Sequence, residues 1–332
     1  MFEFQFQFFL FIEGIDYKSI NLIKIKMNIN ISTMTLYVPY EENIDLRLIF
    51  SLIPFDQFEK GRIIEPLQFE KINRYSDKWN YTEKTYFKHV IMTSIQSKYG
   101  NYSFKVSSNS IHMVGIKRIE HAIEICYFLK DCINYIYYHL NILSKIDKNK
   151  LEQYKTYGLN KVDDCGEGLI LLEKQKNGYN DINDYNSELE YVMNKSLDFQ
   201  NIKVFDYKRK DNNDIYIKFS MVNHIFDSGI KVKDRKKICQ LFNNNDFICR
   251  INNFSCKDIQ IKLPYDNTAE NIHKRLTSSS NHSFILRIGG MVTQSSLSPD
   301  TIEHAHTKFM NIINKGLKSE NYKNAFVKKI YN

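Results

Sequence analysis

The stretch "FKHVIMTSIQSKYGNYSFKVSSNSIHMVGIKR", Phe87 to Arg118, decides the fold. It predicts three consecutive strands, because apolar and polar residues alternate in runs that turn-forming residues separate. Within it, "NYSF" at 101–104 returns as "NHSF" at 281–284, and "IEHA" at 119–122 returns at 302–305. The two phrases keep their order and their approximate spacing. The sequence therefore predicts a duplicated structural unit.

Each copy of the unit has the same order of predicted elements. A strand over 28–38 precedes a helix that begins near Asn43, and a strand over 215–226 precedes a basic amphipathic helix over 233–242. Several strands follow, and a long helix that "IEHA" opens ends each copy. In the second copy Ser298 is the expected N-cap and Pro299 the first helical residue. This order predicts an α+β fold with helices on one face of an antiparallel sheet.

The remaining segments are predicted to surround or interrupt the two copies. Alternating Phe and polar residues from Phe2 to Phe8 predict a one-faced strand, and a basic n-region and a cleavage site, which a signal peptide needs, are missing. The predicted organisation is an extension over 1–26, a first repeat over 27–145 with an insertion at about 56–86, a polar connecting insertion over 146–200, a second repeat over 201–318 with an insertion at about 252–280, and a basic tail over 319–332.

Composition and charge limit the class of function. The chain has 332 residues and a formal net charge of +8, which permits a polyanionic partner. Two basic clusters stand out, over 205–211 and 231–237, although a charge run is usually a solvated face. The helix that contains the second cluster would present a basic surface to DNA flanks or to an acidic partner, through Lys233, Arg235, Lys236 and Lys237.

Motifs for catalysis, metals and cofactors are missing from the sequence. The six cysteines form no CxxC pair, so we expect reduced thiols in a reducing intracellular compartment. The histidines of the repeated phrase have no acidic or histidine residue at position i+4 of the same helix face, which argues against a metal site. Neither a P-loop, a nucleophile elbow nor a zinc-protease motif occurs. We therefore expect no enzyme, cofactor or small-molecule substrate, and, without a long apolar run, no membrane partner.

The ordered set of motifs resembles one repeat of the TATA-box-binding protein family. The family carries a Ser-Thr-Val-Asn-Leu strand, a Leu-Asp-Leu-Lys helix start, a Phe-Ala-Ala-Val-Ile-Met strand and a Ser-Gly-Lys-Met-Val-Cys-Thr-Gly-Ala-Lys hairpin. The corresponding phrases here are "STMTL" at 32–36, "IDLRLIF" at 44–50, "FKHVIM" at 87–92 and "SSNSIHMVGIK" at 107–117. The resemblance is clearest over 28–133 and weaker over 215–313.

The resemblance implies a saddle of two pseudo-symmetric repeats, each a curved antiparallel sheet with helices on the convex face. Its concave face would bind and bend A/T-rich double-stranded DNA through the minor groove, in transcription initiation. Other initiation factors or RNA polymerase would bind the helices. A large DNA virus or another A/T-rich genome fits the composition, and either a nucleus or a cytoplasmic viral factory is compatible with the sequence.

The resemblance also implies roles for individual residues. Phenylalanine wedges that unstack base steps would be Phe87 and Phe104 in the first repeat and Phe247 and Phe284 in the second. Asn30 and Ser108 would make polar contacts in the minor groove. Phosphates would be contacted by Lys98, Lys117, Arg118 and Arg287.

The sequence also departs from the family pattern. The family's base-reading Asn falls on Ile29 in the first repeat and near Ser220 in the second, and the hairpin Gly-Lys is replaced by 109–110 and 289–290. These changes favour an alternative function. The chain could keep the saddle as a protein-interaction module that has lost DNA binding, with its concave face covered by the extension or the central insertion.

Overall fold

The structure is a computed structural model that contains the chain alone. It describes residues 31–64, 66–75, 78–83, 86–157, 171–172, 176, 178–179, 181–199, 204–210, 214–251, 258–264 and 281–330. The predicted strand over 2–8 and Asn30 lie outside the described residues.

The first half of the fold runs from strand β1 to helix α2. Its main elements are β1 (Ile31–Pro39), α1 (Leu46–Leu52), β6 (Val90–Ser97), β7 (Gly100–Ser107), β8 (Ser110–Ile116) and α2 (Ile119–Ser144). Between α1 and β6, in the region predicted as an insertion, lie four short strands. They are β2 (Arg62–Ile63), β3 (Leu67–Phe69), β4 (Ile72–Arg74) and β5 (Trp79–Tyr81).

The second half follows two helices of the central segment, α3 (Lys148–Tyr157) and α4 (Ile182–Ser196). Its elements are β9 (Lys218–Asp227), β10 (Ile230–Val232), α5 (Arg235–Asn243), β11 (Ile248–Ile251), β12 (Ile259–Pro264), β13 (Asn281–Leu286), β14 (Met291–Ser296) and α6 (Pro299–Lys318). A 3-10 helix (Lys323–Ala325) and β15 (Phe326–Lys328), which pairs with β10, complete it.

One antiparallel sheet joins the halves through its two central strands, β1 and β9. The strand order is β11-β12-β13-β14-β9-β1-β8-β7-β6-β3-β4-β5, and β2 pairs with β6. The order β9-β14-β13-β12 therefore repeats β1-β8-β7-β6 in the opposite direction. The predicted α+β fold of two pseudo-symmetric repeats is confirmed.

The strand registers identify equivalent residues in the two halves. Phe104 pairs with Met113, which pairs with Leu36. In the second half, Phe284 pairs with Gln294, which pairs with His224. By the same count Met34 corresponds to Val222, and these two residues pair with each other. The pseudo-two-fold axis therefore passes through the middle of the β1–β9 ladder.

Each half has its own hydrophobic core between the sheet and the helices. Alternate strand residues are buried, as in β7, where Tyr102, Phe104 and Val106 alternate with more exposed residues. The first-half core packs against α1 and α2, and the second-half core against α5 and α6. Because the helices cover one face, the other side chains of each strand lie on the opposite face, which we call the open face.

Two bulges interrupt the central β1–β9 ladder. Ser32 is the extra residue of β1 between the pairs Ile31–His224 and Thr33–Asn223. Ser220 is the extra residue of β9 between the pairs Thr35–Met221 and Leu36–Phe219. By the register count, Ser32 and Ser220 are equivalent residues of the two halves. Bulges increase the local twist of a sheet, so the centre is twisted on both sides of the axis.

Local signals explain where the helices begin. Asp45 caps α1 by accepting a hydrogen bond from the backbone nitrogen of Leu48, and Asp234 caps α5 by accepting one from Lys237. At α6, Ser298 occupies the N-cap position and Pro299 the first helical position, as predicted. The predicted bounds of α1 and α5 differ from the observed ones by about two to three residues, because terminal turns are poorly defined by pattern.

The central segment, predicted as a polar connection, places helix α4 on the helices of the first half. Glu188 accepts hydrogen bonds from Arg47 Nε at 3.0 Å and from Ser51 Oγ at 2.6 Å. Tyr191 donates a hydrogen bond of 2.6 Å to Asp45 Oδ2. Part of the outer surface of the first half is therefore occupied by the chain itself.

Buried histidines predict that acid destabilises the fold. His139 is fully buried in α2, and burial lowers its pKa from 6.5 to about 4; burial likewise lowers the pKa of His306, with nearby His224 adding to the effect. The unfolded chain therefore binds protons more readily, and stability is lost as the pH falls from about 6.5 toward 4.

We expect His139→Leu to reduce this pH dependence by on the order of 2 kcal/mol over that interval. Urea unfolding at several pH values measures it. A variant whose pH profile parallels that of the natural chain would contradict the assignment.

Candidate nucleic-acid interface

The open face is built from alternate residues of the sheet strands. In β7 these are Asn101, Ser103, Lys105 and Ser107, which lie opposite the buried Phe104 side. In β13 they are Asn281, Ser283 and Ile285. The described helices pack on the other face, so none of them covers these side chains.

Aliphatic side chains on this face are unusually exposed. Ile285 lies across from Thr293, which lies across from Ile225, and Val114 lies across from Thr35, which lies across from Met221. The exposed fractions range from 36% to 49%. Exposed apolar side chains concentrated on one face of a sheet make that face a candidate binding surface. The set is Val114, Met221, Ile225, Ile248, Ile285 and Met291.

A hydrogen-bonded polar group occupies the centre of the open face. Asn223 Nδ2 donates to Thr33 Oγ1 at 3.1 Å, and Ser295 Oγ donates to Asn223 Oδ1 at 2.7 Å. Asn223 is not among the site residues predicted from the sequence; in the second repeat the family's asparagine position was placed near Ser220. The central place of Asn223 follows from the pairing of β9 with β1 and β14, which the sequence does not show.

The charges of the open face are mainly positive. Among the described strand positions on this face, cations occur at Arg62, Lys105, Lys218, Arg250 and Lys262. The acidic residue there, Asp227, lies at the end of β9 and forms an ion pair with Lys329. His112 is also on this face; burial and then Lys105 lower its pKa, which favours the neutral ring. The face therefore suits a ligand that carries negative charge.

Three of the four predicted wedges are core residues, which corrects that assignment. The exposed fractions are 1% for Phe104, 5% for Phe247 and 0% for Phe284. Phe284 stacks on Phe309 of α6 at a centroid distance of 4.6 Å, and Phe247 contacts Phe242 of α5 at 5.2 Å. Phe104 and Phe284 lie under the helices because their strand positions have the parity of the buried face, and Phe247 directly precedes β11.

Phe87 remains as an exposed aromatic residue. It precedes β6, and 59% of it is exposed. Lys105 Nζ lies 4.4 Å from the centre of its ring. An exposed ring next to an ammonium group combines the chemistry that suits a base with the chemistry that suits a phosphate.

The predicted phosphate contacts lie at one end of the strands. Lys98 is in the β6–β7 turn, Lys117 and Arg118 follow β8, and Arg287 is in the β13–β14 turn. The antiparallel registers bring these turns to the same end of the sheet in both halves. Lys117, Arg118 and Arg287 are exposed.

Lys98 differs from the other three cations because it has an acidic partner. Its ammonium group lies 2.8 Å from Glu124 of α2, although 64% of the side chain remains exposed. This pair raises the pKa of Lys98, since the ion pair favours the charged form. The contact attaches the β6–β7 turn to α2.

The other predicted site residues lie apart from this group. Ser108 is half-buried in the β7–β8 turn, at the opposite end of the strands, and its carbonyl accepts a 2.7 Å hydrogen bond from Ile44. The predicted partner surface lies on or beside α5, on the helix side. Of its residues, Lys233, Lys236 and Lys237 are exposed and Arg235 is half-buried.

The described residues contain no group of three or more His, Cys, Asp or Glu side chains that could hold a metal ion. None of the described helices is long and apolar enough to cross a membrane.

No protein-family model matches the chain, and no curated protein matches it. Among solved structures, the chain is similar to Methanococcus jannaschii TBP, with 10% sequence identity and a TM-score of 0.36. The similarity covers 86% of this chain and 98% of that one.

Proposed function

We propose that the open face binds double-stranded DNA through the minor groove, as a non-enzymatic transcription initiation factor of the TATA-box-binding type. The observation that carries this proposal is the chemistry of the face. It combines exposed aliphatic side chains, the Asn223 group at its centre and cations at Lys105 and Lys262.

The minor groove matches these groups in polarity. Sugars and the edges of A·T pairs offer weakly polar surface and hydrogen-bond acceptors, which suit aliphatic side chains and an amide donor. A G·C pair adds an amino group that would meet the apolar side chains. A/T-rich duplexes should therefore be preferred, and flexible steps within them lower the cost of fitting a twisted sheet.

Partner proteins and compartment are part of the same proposal. The basic residues Lys233, Lys236 and Lys237 on the helix side would contact acidic surfaces of other initiation factors or of RNA polymerase. The compartment would be reducing and intracellular, either a nucleus or a cytoplasmic viral factory.

Fluorescence anisotropy with labelled duplexes at low salt tests the proposal. We expect an A/T-rich duplex to bind at least about tenfold more tightly than a G/C-rich duplex of equal length. Absence of binding to the A/T-rich duplex at low salt would rule the proposal out.

Removing two open-face cations tests where the duplex lies. We expect the double variant Lys105→Ala, Lys262→Ala to bind about tenfold more weakly and to show a salt dependence whose log–log slope is smaller by roughly 2, because two phosphate contacts are lost. The matched control is Lys150→Ala, an exposed lysine of α3 on the helix side. An unchanged slope in the double variant, or an equal loss in the control, would place the duplex elsewhere.

A protein-interaction module is the second candidate function. The exposed aliphatic residues of the second half, among them Ile225 and Ile285, favour it, since such patches also bind proteins. In that case binding of a partner would depend on these aliphatic residues and little on salt. The salt titration above therefore separates the two functions.

A further inference from the structure

A groove lies in the open face of the first half, where the insertion meets the repeat. Its volume is about 370 Å³. Met92 and Val114 supply apolar side chains, and Ser94, Ser103 and Lys105 supply polar ones. Pro66 and Gln68 close one side; Pro66 directly precedes β3, Gln68 is in β3, and both lie inside the predicted insertion.

The registers fix how these side chains face each other. Gln68 lies across from Met92, Met92 across from Lys105, and Ser94 across from Ser103. The hydroxyl groups of Ser94 and Ser103 are 2.8 Å apart and hydrogen-bonded. The groove thus has an amide, a hydroxyl pair and an ammonium group arranged around apolar surface.

The size and chemistry of the groove indicate one class of ligand. The volume is near the lower end of the range for small-molecule sites. It admits one compact ligand but is too small for a peptide or oligonucleotide segment. Met92 and Val114 suit a flat apolar ring, the amide and hydroxyls suit a base edge or a sugar hydroxyl, and Lys105 suits a phosphate. The described residues of the lining include no acidic side chain, which disfavours a cation.

Equivalent positions of the second half carry different chemistry. Counting along the paired strands, Lys105 corresponds to Ile285, Met92 to Gln260, and Ser94 to Lys262. In the first half the lysine is on β7 and the apolar Met92 is on β6. In the second half the lysine is on β12, which corresponds to β6, and the apolar Ile285 is on β13, which corresponds to β7. The duplication alone did not produce the groove.

We propose that this groove is a subsite for a single nucleotide, with the phosphate at Lys105 and the base against Met92 and Val114, and with Gln68 as a contact that the insertion adds. The proposal rests on the proposed function, in which the subsite takes one nucleotide of the bound DNA. A free mononucleotide tests it separately.

Methionine methyl groups report on the two halves at once. Met92 lines the groove, whereas Met221 and Met291 lie on the open face of the second half. In the full chain labelled with ¹³C-methyl methionine, we expect thymidine 5′-monophosphate to shift the Met92 signal and to leave those of Met221 and Met291 unchanged. The methyl signal that disappears in the Met92→Leu variant is the Met92 signal.

Substitutions then test the named contacts. We expect Gln68→Ala to weaken nucleotide binding about fivefold, the effect of one lost hydrogen bond, and Ser103→Trp to abolish it by filling the groove. Gln240→Ala, an exposed glutamine of α5 on the helix side, is the matched control and should bind as the natural chain does. Far-UV circular dichroism verifies that each variant is folded.

The outcomes separate the subsite from the proposed function. An unmoved Met92 signal, an equal shift with inorganic phosphate, or equal shifts of all three methyl groups would overturn the subsite. If an A/T-rich duplex nevertheless shifts Met221 and Met291, DNA binding stands without the subsite. If the duplex shifts none of the three while the nucleotide shifts Met92, the groove binds nucleotides and the DNA-binding proposal fails.

Discussion

Replacing Phe104 or Phe284 by alanine is expected to lower the free energy of unfolding by about 3 to 5 kcal/mol, the usual cost of a cavity left by a buried ring. Both side chains are almost fully buried, and Phe284 stacks on Phe309. Phe87→Ala is the matched control. It should cost about 1 kcal/mol or less, because the ring is exposed and contacts Lys105.

Urea denaturation followed by circular dichroism measures these differences. The comparison also separates two roles of phenylalanine, since a DNA wedge should affect binding more than stability. We expect Phe87→Ala to weaken duplex binding and the core variants to unfold more readily. Near-equal stability of the Phe87, Phe104 and Phe284 variants would contradict the placement of these rings.

Gly290→Ala is expected to destabilise the second half by about 3 kcal/mol or more. Gly290 has a φ of +88°, a conformation that costs a residue with a side chain on the order of 1 kcal/mol or more. A Cβ atom there would also overlap the carbonyl oxygen of Ile230, which is backbone and cannot rotate away. The β13–β14 turn would have to separate from the strand that begins at Ile230.

The neighbouring Gly289 provides the control for this prediction. A Cβ atom at Gly289 meets nothing within 4 Å, and its φ is not positive. Gly289→Ala should therefore change the free energy of unfolding by less than about 0.5 kcal/mol. Thermal unfolding of both variants tests the pair, and equal melting temperatures would show that the turn can relax around the added carbon.

The duplication could be predicted from sequence because its signals are local. Two short phrases that recur in order reveal two copies, and Ser298 with Pro299 marks the start of α6 within a few residues. Alternation likewise shows that β7 has two different faces. These features depend on neighbours along the chain, which a single sequence displays.

The candidate site depends on long-range pairing, which the sequence does not display. Alternation could not show which face the helices cover, so Phe104 was assigned to the wrong one. Asn223 was not singled out because its place at the centre of the open face follows from the pairing of β9 with β1 and β14. Gln68 was missed because its role depends on β3 pairing with β6, across a segment that has no counterpart in the family pattern.

The paired bulges at Ser32 and Ser220 limit how this chain can change in evolution. Side chains alternate between the two faces, so loss of one residue from a central strand would exchange core and open-face residues beyond that point. Such a deletion removes the core and the binding surface together. Insertions and deletions should therefore be rejected in β1 and β9 while substitutions accumulate there, and length variation among descendants should be confined to the loops and the inserted segments.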